Sequence, residues 1–189
     1  MSLRKVLSVI EKVTNDQLVK TIINSINENQ EKCKQWLIDN ADHYLKLLVN
    51  PKIVVLAGWY GNLADRLTTY GDVTSIDIDD NCKIIGKKLY KNVLFKTKNI
   101  INYNVEKYNV VACTSCEHFT QSDFDKVFNN IKKGTLVILQ SNNYFEIKEH
   151  VNCFNTLHEF VESTNFDKIL YKGQIELPKY TRFMIIGVR

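Results

Sequence analysis

Proline is scarce in this chain of 189 residues, with only two in all. That leaves no proline-rich linker between halves, so one domain, or one domain with a short appendage, is the expected organisation. Long hydrophobic runs are missing too, and no stretch approaches the roughly 18–20 apolar residues that cross a bilayer. Met1 to Ile10 carries a basic pair but no long apolar core followed by small residues, which argues against a secretory signal. A cytoplasmic protein with no membrane partner is therefore expected. Neither charge sign dominates: 25 Lys and Arg face 21 Asp and Glu, for a net charge of +4. Such a mild excess does not by itself imply nucleic acid. The densest basic stretch, Lys83, Lys87, Lys88, Lys91, Lys96 and Lys98, reads first as a solvated helix face with its following loop. Nucleic-acid contact is the lesser reading. Five scattered cysteines, an odd number, point to reduced thiols and not to a disulfide framework.

Two nucleotide-binding signatures are also missing. No G-x-G-x-x-G occurs, since the window from Ala57 reads A-G-W-Y-G-N, and no Gly-Lys-Ser/Thr follows the glycines. A dinucleotide dehydrogenase and an ordinary P-loop protein fit poorly on those grounds.

The content that is present suits a folded core, with 44% hydrophobic and 24% charged residues. The first fifty residues pattern as helix. Thr14 and Gln17 are spaced as a capping box, and Leu18, Ile22 and Ile26 follow on one helical face. Trp36, Leu37, Tyr44, Leu45 and Leu48 mark a further helix, which should stop near Asn50-Pro51. After Pro51 short apolar runs alternate with helical patterns. Strands are expected at 52–56, 73–76, 93–95, 108–113, 135–140, 169–176 and 182–188. Helices are expected at 62–70, closed by Gly71, at 82–90, at 122–132, closed by Gly134, and at 155–162. Wholly apolar strands alternating with helices imply a parallel sheet covered on both faces. The last two strands lie too close in sequence for a helical crossover and should pair antiparallel. The prediction is an α/β Rossmann-like domain over 51–189, with a mostly parallel seven-stranded sheet and a C-terminal antiparallel hairpin. Residues 1–50 form an N-terminal helical extension packed on it.

Ligands of such folds collect at the carboxyl edge of the sheet, where the strand order reverses. Three segments should reach that edge. The first is the loop Ala57-Gly58-Trp59-Tyr60-Gly61, which feeds a strand into a helix N-terminus; its glycines allow a ligand to approach the backbone. Asp77 closes the next strand, nineteen residues after Gly58, where an acid accepts hydrogen bonds from ribose hydroxyls. The second is Cys113-Thr114-Ser115-Cys116-Glu117-His118, after the fourth strand. Glu117 and His118 are candidate general bases, and Ser115 a candidate donor to substrate. Its C-x-x-C sits after the wrong strand for a thioredoxin motif. Cys113, Cys116 and His118 supply at most three local ligands, so no metal is expected. The third pairs the end of the fifth strand, Asn142 and Asn143, with the start of the antiparallel last strand, Tyr180 and Arg182. Amides, a phenol and a guanidinium suit a small polar or anionic substrate.

The stretch from Lys52 to Gln140, and more loosely to Arg189, resembles the class I S-adenosylmethionine-dependent methyltransferases. VLAGWYGNLA is similar to that family's first motif, whose loop cradles the methionine part of the cofactor, and SIDID to its second. The resemblance implies S-adenosylmethionine as cofactor, Asp77 as the ribose acid and Ile78 against the adenine. Asn99 and Ile100 fall near the adenine amino group, and Thr114 on the fourth-strand loop. It also implies methyl transfer to an unidentified acceptor, most simply a small molecule. Aminopropyl transfer on the same fold, or a non-catalytic nucleotide-binding domain, are the alternatives. The chain departs from the pattern where Ala57 and Trp59 replace the first two glycines, Val55 an acid, and Asn99 an aspartate.

Overall fold

A strand buried on both faces needs apolar side chains at every position, and KIVVL of β1 (Lys52–Leu56) supplies four in a row after its exposed lysine. Ile53 and Val55 enter one core layer and Val54 and Leu56 the other, as a period of two requires. The remaining strands are β2 (Asp72–Asp77), β3 (Val93–Thr97), β4 (Val110–Cys113), β5 (Leu136–Asn142), β6 (Lys168–Glu176) and β7 (Thr181–Val188). The computed structural model describes residues 3–189; Met1 and Ser2, the start of the expected helical stretch, lie outside them.

The seven strands form one sheet in the order β3-β2-β1-β4-β5-β7-β6. β1 through β5 are parallel, while β7 runs antiparallel to both β5 and β6. The order reverses between β1 and β4, which places the switch point beside the loop that leaves β1.

Helices cover both faces. α1 (Leu3–Ile10), α2 (Asp16–Asn24), α3 (Glu28–Lys46), α4 (Asn62–Leu67) and α5 (Asp80–Leu89) share one core with Ile53, Val55 and Ala112. α6 (Gln121–Asn129) and α7 (Leu157–Glu162) pack on the other, through Phe124, Phe128 and Phe160. The first three helices bury Val6, Val9, Ile22, Leu37, Ala41 and Leu45 in the same layer as α4 and α5. α3 also reaches the far edge of the sheet, where the Tyr44 hydroxyl donates to Leu170 O at 3.0 Å. Among the described residues no helix is long and apolar enough to cross a membrane. The basic stretch is partly spent locally, since Lys83 pairs with Asp80 at 3.1 Å and Lys91 donates to Lys87 O at 3.2 Å.

Four local expectations need correction. Asn15, not Thr14, caps α2: its Oδ1 accepts from Leu18 N at 3.0 Å. α3 stops at Lys46, because Leu47–Asn50 turns and Asn50 adopts φ 44°, a left-handed conformation that asparagine tolerates. Gly71 does not close α4, which ends at Leu67; a side chain at Gly71 would strike Pro51 O, so it is needed for close approach of two chain segments. Gly134 does take a left-handed φ of 84°, but in the turn into β5, after α6 has ended at Asn129.

Candidate active site

The loop after β1 keeps a glycine-like backbone without the glycines. Ala57 has φ 48° and Trp59 φ 50°, alongside Gly61 at 92°. A left-handed conformation costs an L-residue roughly 1–2 kcal/mol, so two such residues in one five-residue loop need strong local support. The support is visible. Gly58 N donates to Ile76 O and Gly61 N to Gly58 O, both at 3.0 Å. Trp59 N donates to Asp77 Oδ2 at 2.9 Å, and the other carboxylate oxygen accepts from Asp79 N at 3.1 Å. Asp77 thus ties the first loop to the second, and each of its oxygens retains a further lone pair for a ligand hydroxyl. Gly58 rests on Ser75, whose buried Oγ has no hydrogen-bond partner among the described residues; any Cβ at Gly58 would strike it.

The two aromatic residues of the loop divide. Tyr60 is buried and its hydroxyl bonds Thr21 Oγ1 in α2 at 2.7 Å; burial raises its pKa. Its side chain therefore anchors the loop to the N-terminal helices and does not line the edge. Trp59 is half-buried and stacks on Tyr60 at 5.5 Å between ring centroids.

Around this loop Ile78 is 71% exposed beside Asp77, a large apolar side chain free to cover a planar ring. Asn99 is exposed, and its Oδ1 accepts from Ile101 N at 3.0 Å, capping a short turn. Ile100 points the other way, into the second core layer.

The register of β5 and β7 sets Asn142 opposite Arg182, so the expected convergence of distant segments occurs. Its chemistry differs from the expectation. Arg182 and Glu117 are both buried, 6% and 4% exposed, and pair with each other at 2.8 Å through Nη1 and Oε1. Arg182 also donates to Thr114 O and, at 3.5 Å, to Gln140 Oε1. Burial alone would lower its pKa, but the Glu117 charge outweighs this, and the net direction is upward. The guanidinium is committed inside the protein, so it organises the β4 loop and does not face substrate. Lys34 of α3, also buried, has its pKa lowered to about 8, first by burial and then by the Arg182 charge.

Asn142 is likewise buried, with Oδ1 accepting from Tyr144 N at 2.8 Å, and Asn143 Oδ1 accepts from Thr181 N at 2.7 Å. Asn142 thus shapes the turn that leaves β5, and Asn143 ties that turn to the start of β7. Tyr180 is half-buried and stacks on Tyr144 at 5.3 Å, nearly parallel at 10°. Thr114 and Ser115 are half-buried, and His118 is exposed at the end of the turn Cys116–His118.

One residue at this edge has no local sequence signal. His150 comes from the long connection after β5, and its ring meets that of His118 edge-on, with centroids 4.7 Å apart. Val151 N and Asn152 N both donate to Glu117 O, at 2.9 and 3.0 Å, which fastens that connection over the β4 loop. These long-range bonds help to bring His150 to the edge.

No family model matches the chain, and no curated protein does. Solved structures do. The N-methyltransferase NodS of Bradyrhizobium japonicum WM9, in complex with S-adenosyl-L-homocysteine, superposes with a TM-score of 0.70 at 10% identity, over 98% of each chain. The plantazolicin methyltransferase BpumL, also in complex with SAH, gives 0.65 at 12% identity, covering 98% of this chain and 94% of its own. The magnesium protoporphyrin IX methyltransferase ChlM of Synechocystis PCC 6803, with SAM bound, gives 0.63 at 14%, covering 98% and 90%. This is the class I methyltransferase fold. Within it the methyltransferase hairpin, β6 and β7, delivers Arg182 to the β4 loop, and the switch point falls at Ala57 to Gly61.

Proposed function

We propose that the chain is a methyltransferase that uses S-adenosylmethionine and acts on a small polar acceptor. The observation that carries the reading is the backbone at Ala57 and Trp59. Left-handed φ is held there by non-glycine residues, with the Trp59 amide fixed by Asp77. Strain kept at one loop of the switch point is the mark of a loop shaped for a ligand. The same surroundings fit the cofactor. Gly58 leaves bare backbone, Asp77 offers carboxylate lone pairs to ribose hydroxyls, and exposed Ile78 offers an apolar face to adenine. The similar structures NodS, BpumL and ChlM have SAM or SAH bound, which supports the same ligand here.

When bound, the cofactor supplies an electrophilic methyl group. The chain's own residues then do the rest. The backbone of residues 57–61 and Asp77 hold the donor, with Asn99 and Thr114 at its rim. Ile100 supports the rim from the core, and Tyr60 braces the loop from behind. His118 is the exposed base suited to handle the proton of the acceptor, and Ser115 and Tyr180 are polar groups for orienting it. Glu117 and Arg182, with Asn142 and Asn143, are positioning residues that shape the edge.

Incubating the chain with methyl-labelled S-adenosylmethionine and a pool of small metabolites tests the reading. Label should appear on product as a one-carbon group, with S-adenosylhomocysteine released in equal amount. Transfer of a larger aminopropyl fragment, or no consumption of the donor, would contradict it.

A further inference from the structure

The structure assigns Glu117, His118 and His150 to a divalent-cation site at the edge of the β4 loop. One ligand atom from each lies within 4.8 Å of the other two. A four-coordinate shell with bonds of about 2.1 Å needs about 3.4 Å between ligands, so binding would draw the three ligand atoms together from separations of at most 4.8 Å.

Two further features point to a cation. Glu117 Oε1 is spent on Arg182, but Oε2 is buried with no hydrogen-bond partner among the described residues. Leaving a carboxylate oxygen dry and unbonded is expensive, and a cation on Oε2 would satisfy it. The histidines are already oriented. His118 Nδ1 sits 3.2 Å from Glu149 O and His150 Nδ1 2.9 Å from Tyr144 O. A carbonyl only accepts, so both protons belong on Nδ1, and both Nε2 atoms carry free lone pairs. Backbone carbonyls fix metal-binding imidazoles in this way.

The donor set names the class of ion and ligand. Two imidazole nitrogens and one carboxylate oxygen suit zinc and its first-row neighbours, with positions left open. Glu117 is already neutralised by Arg182, so a bound dication keeps its full charge and calls for an anionic or ionisable further ligand. An acceptor hydroxyl bound there would be acidified by the cation, which would relieve His118 of the proton. From the sequence no metal is expected, since Cys113, Cys116 and His118 alone make an insufficient set; the buried cysteines are not in the cluster, which draws on Glu117 and His150 in their place. The site stands on these three side chains and does not depend on the methyl-donor reading.

Cobalt(II) titration of the untagged, metal-stripped full chain tests it, with no methyl donor present. One cobalt per chain should bind, with the visible bands of a nitrogen–oxygen site, and one equivalent of zinc should displace it. His150→Ala and His118→Ala should each weaken binding by about 100-fold while keeping the parent's circular dichroism, and Cys153→Ser, at the half-buried cysteine three residues after His150, should leave binding unchanged. Intense thiolate-to-cobalt absorption, unchanged affinity in the His150 variant, or no binding at millimolar cobalt would each overturn the assignment.

Discussion

Arg182→Met should lower the stability of the protein by about 3–5 kcal/mol, read as a fall in denaturant midpoint. The guanidinium is 6% exposed and its partner Glu117 4% exposed, so solvent cannot replace the lost charge. With arginine gone, both oxygens of Glu117 are dry and unpaired, since Oε2 already is. Thr114 O and Gln140 Oε1 lose a donor as well. Removing both charges should be far milder, because a buried pair replaced by apolar groups is often close to neutral. Arg182→Met with Glu117→Leu should therefore recover more than half of the loss. An exposed pair offers the contrast: Lys46 and Asp42 lie 2.8 Å apart with side chains 68% and 38% exposed, and breaking that pair should leave the midpoint nearly unchanged. A loss that small in the Arg182 variant would mean that the pair is solvated.

Gly61→Ala should cost about 3 kcal/mol, from two independent causes. Its φ of 92° is unfavourable for any side chain, and its new Cβ would overlap the Phe95 ring. That ring is 5% exposed and also lies close against Gly86, where a Cβ would meet the same ring atoms, so it has little room to turn. Gly134→Ala separates the two causes. Gly134 has a similar φ of 84°, but a Cβ there meets nothing within 4 Å. It should cost only the backbone share, about 1 kcal/mol. Equal losses at the two positions would show that Phe95 can move aside.

The sheet was largely legible because its signal is local. Runs such as IVVL in β1 and LVIL in β5 are apolar at every position, which a strand covered on both faces requires. The short gap between the last two strands forced the antiparallel hairpin. From that topology the meeting of Glu117, Asn142 and Arg182 followed without any structure. What the pattern could not report was depth. The convergence reads as an open polar mouth in sequence, yet Arg182 spends its charge on Glu117, Asn142 spends its carbonyl on the turn after β5, and Asn143 spends its own on the start of β7. Side-chain direction in loops was equally hidden. Tyr60 turns toward Thr21, thirty-nine residues before it, and Ile100 turns into the core. Thr14 and Asn15 are both good caps, and backbone geometry alone chose Asn15. His150 carries no motif, because its place depends on two amides bonding Glu117 O across the fold.

Ala57 and Trp59 hold the centre of the account, since their strained backbone is what marks the loop as a cofactor cradle. Calorimetric titration with S-adenosylhomocysteine, run on the parent chain and on Asp77→Ala, tests that most directly. The parent should show saturable binding of one ligand per chain. The variant should stay folded and bind at least about tenfold more weakly, through loss of charge-assisted hydrogen bonds to ribose and of the bond that fixes Trp59 N. No heat of binding at millimolar ligand in the parent, or equal affinity in the folded variant, would contradict the account.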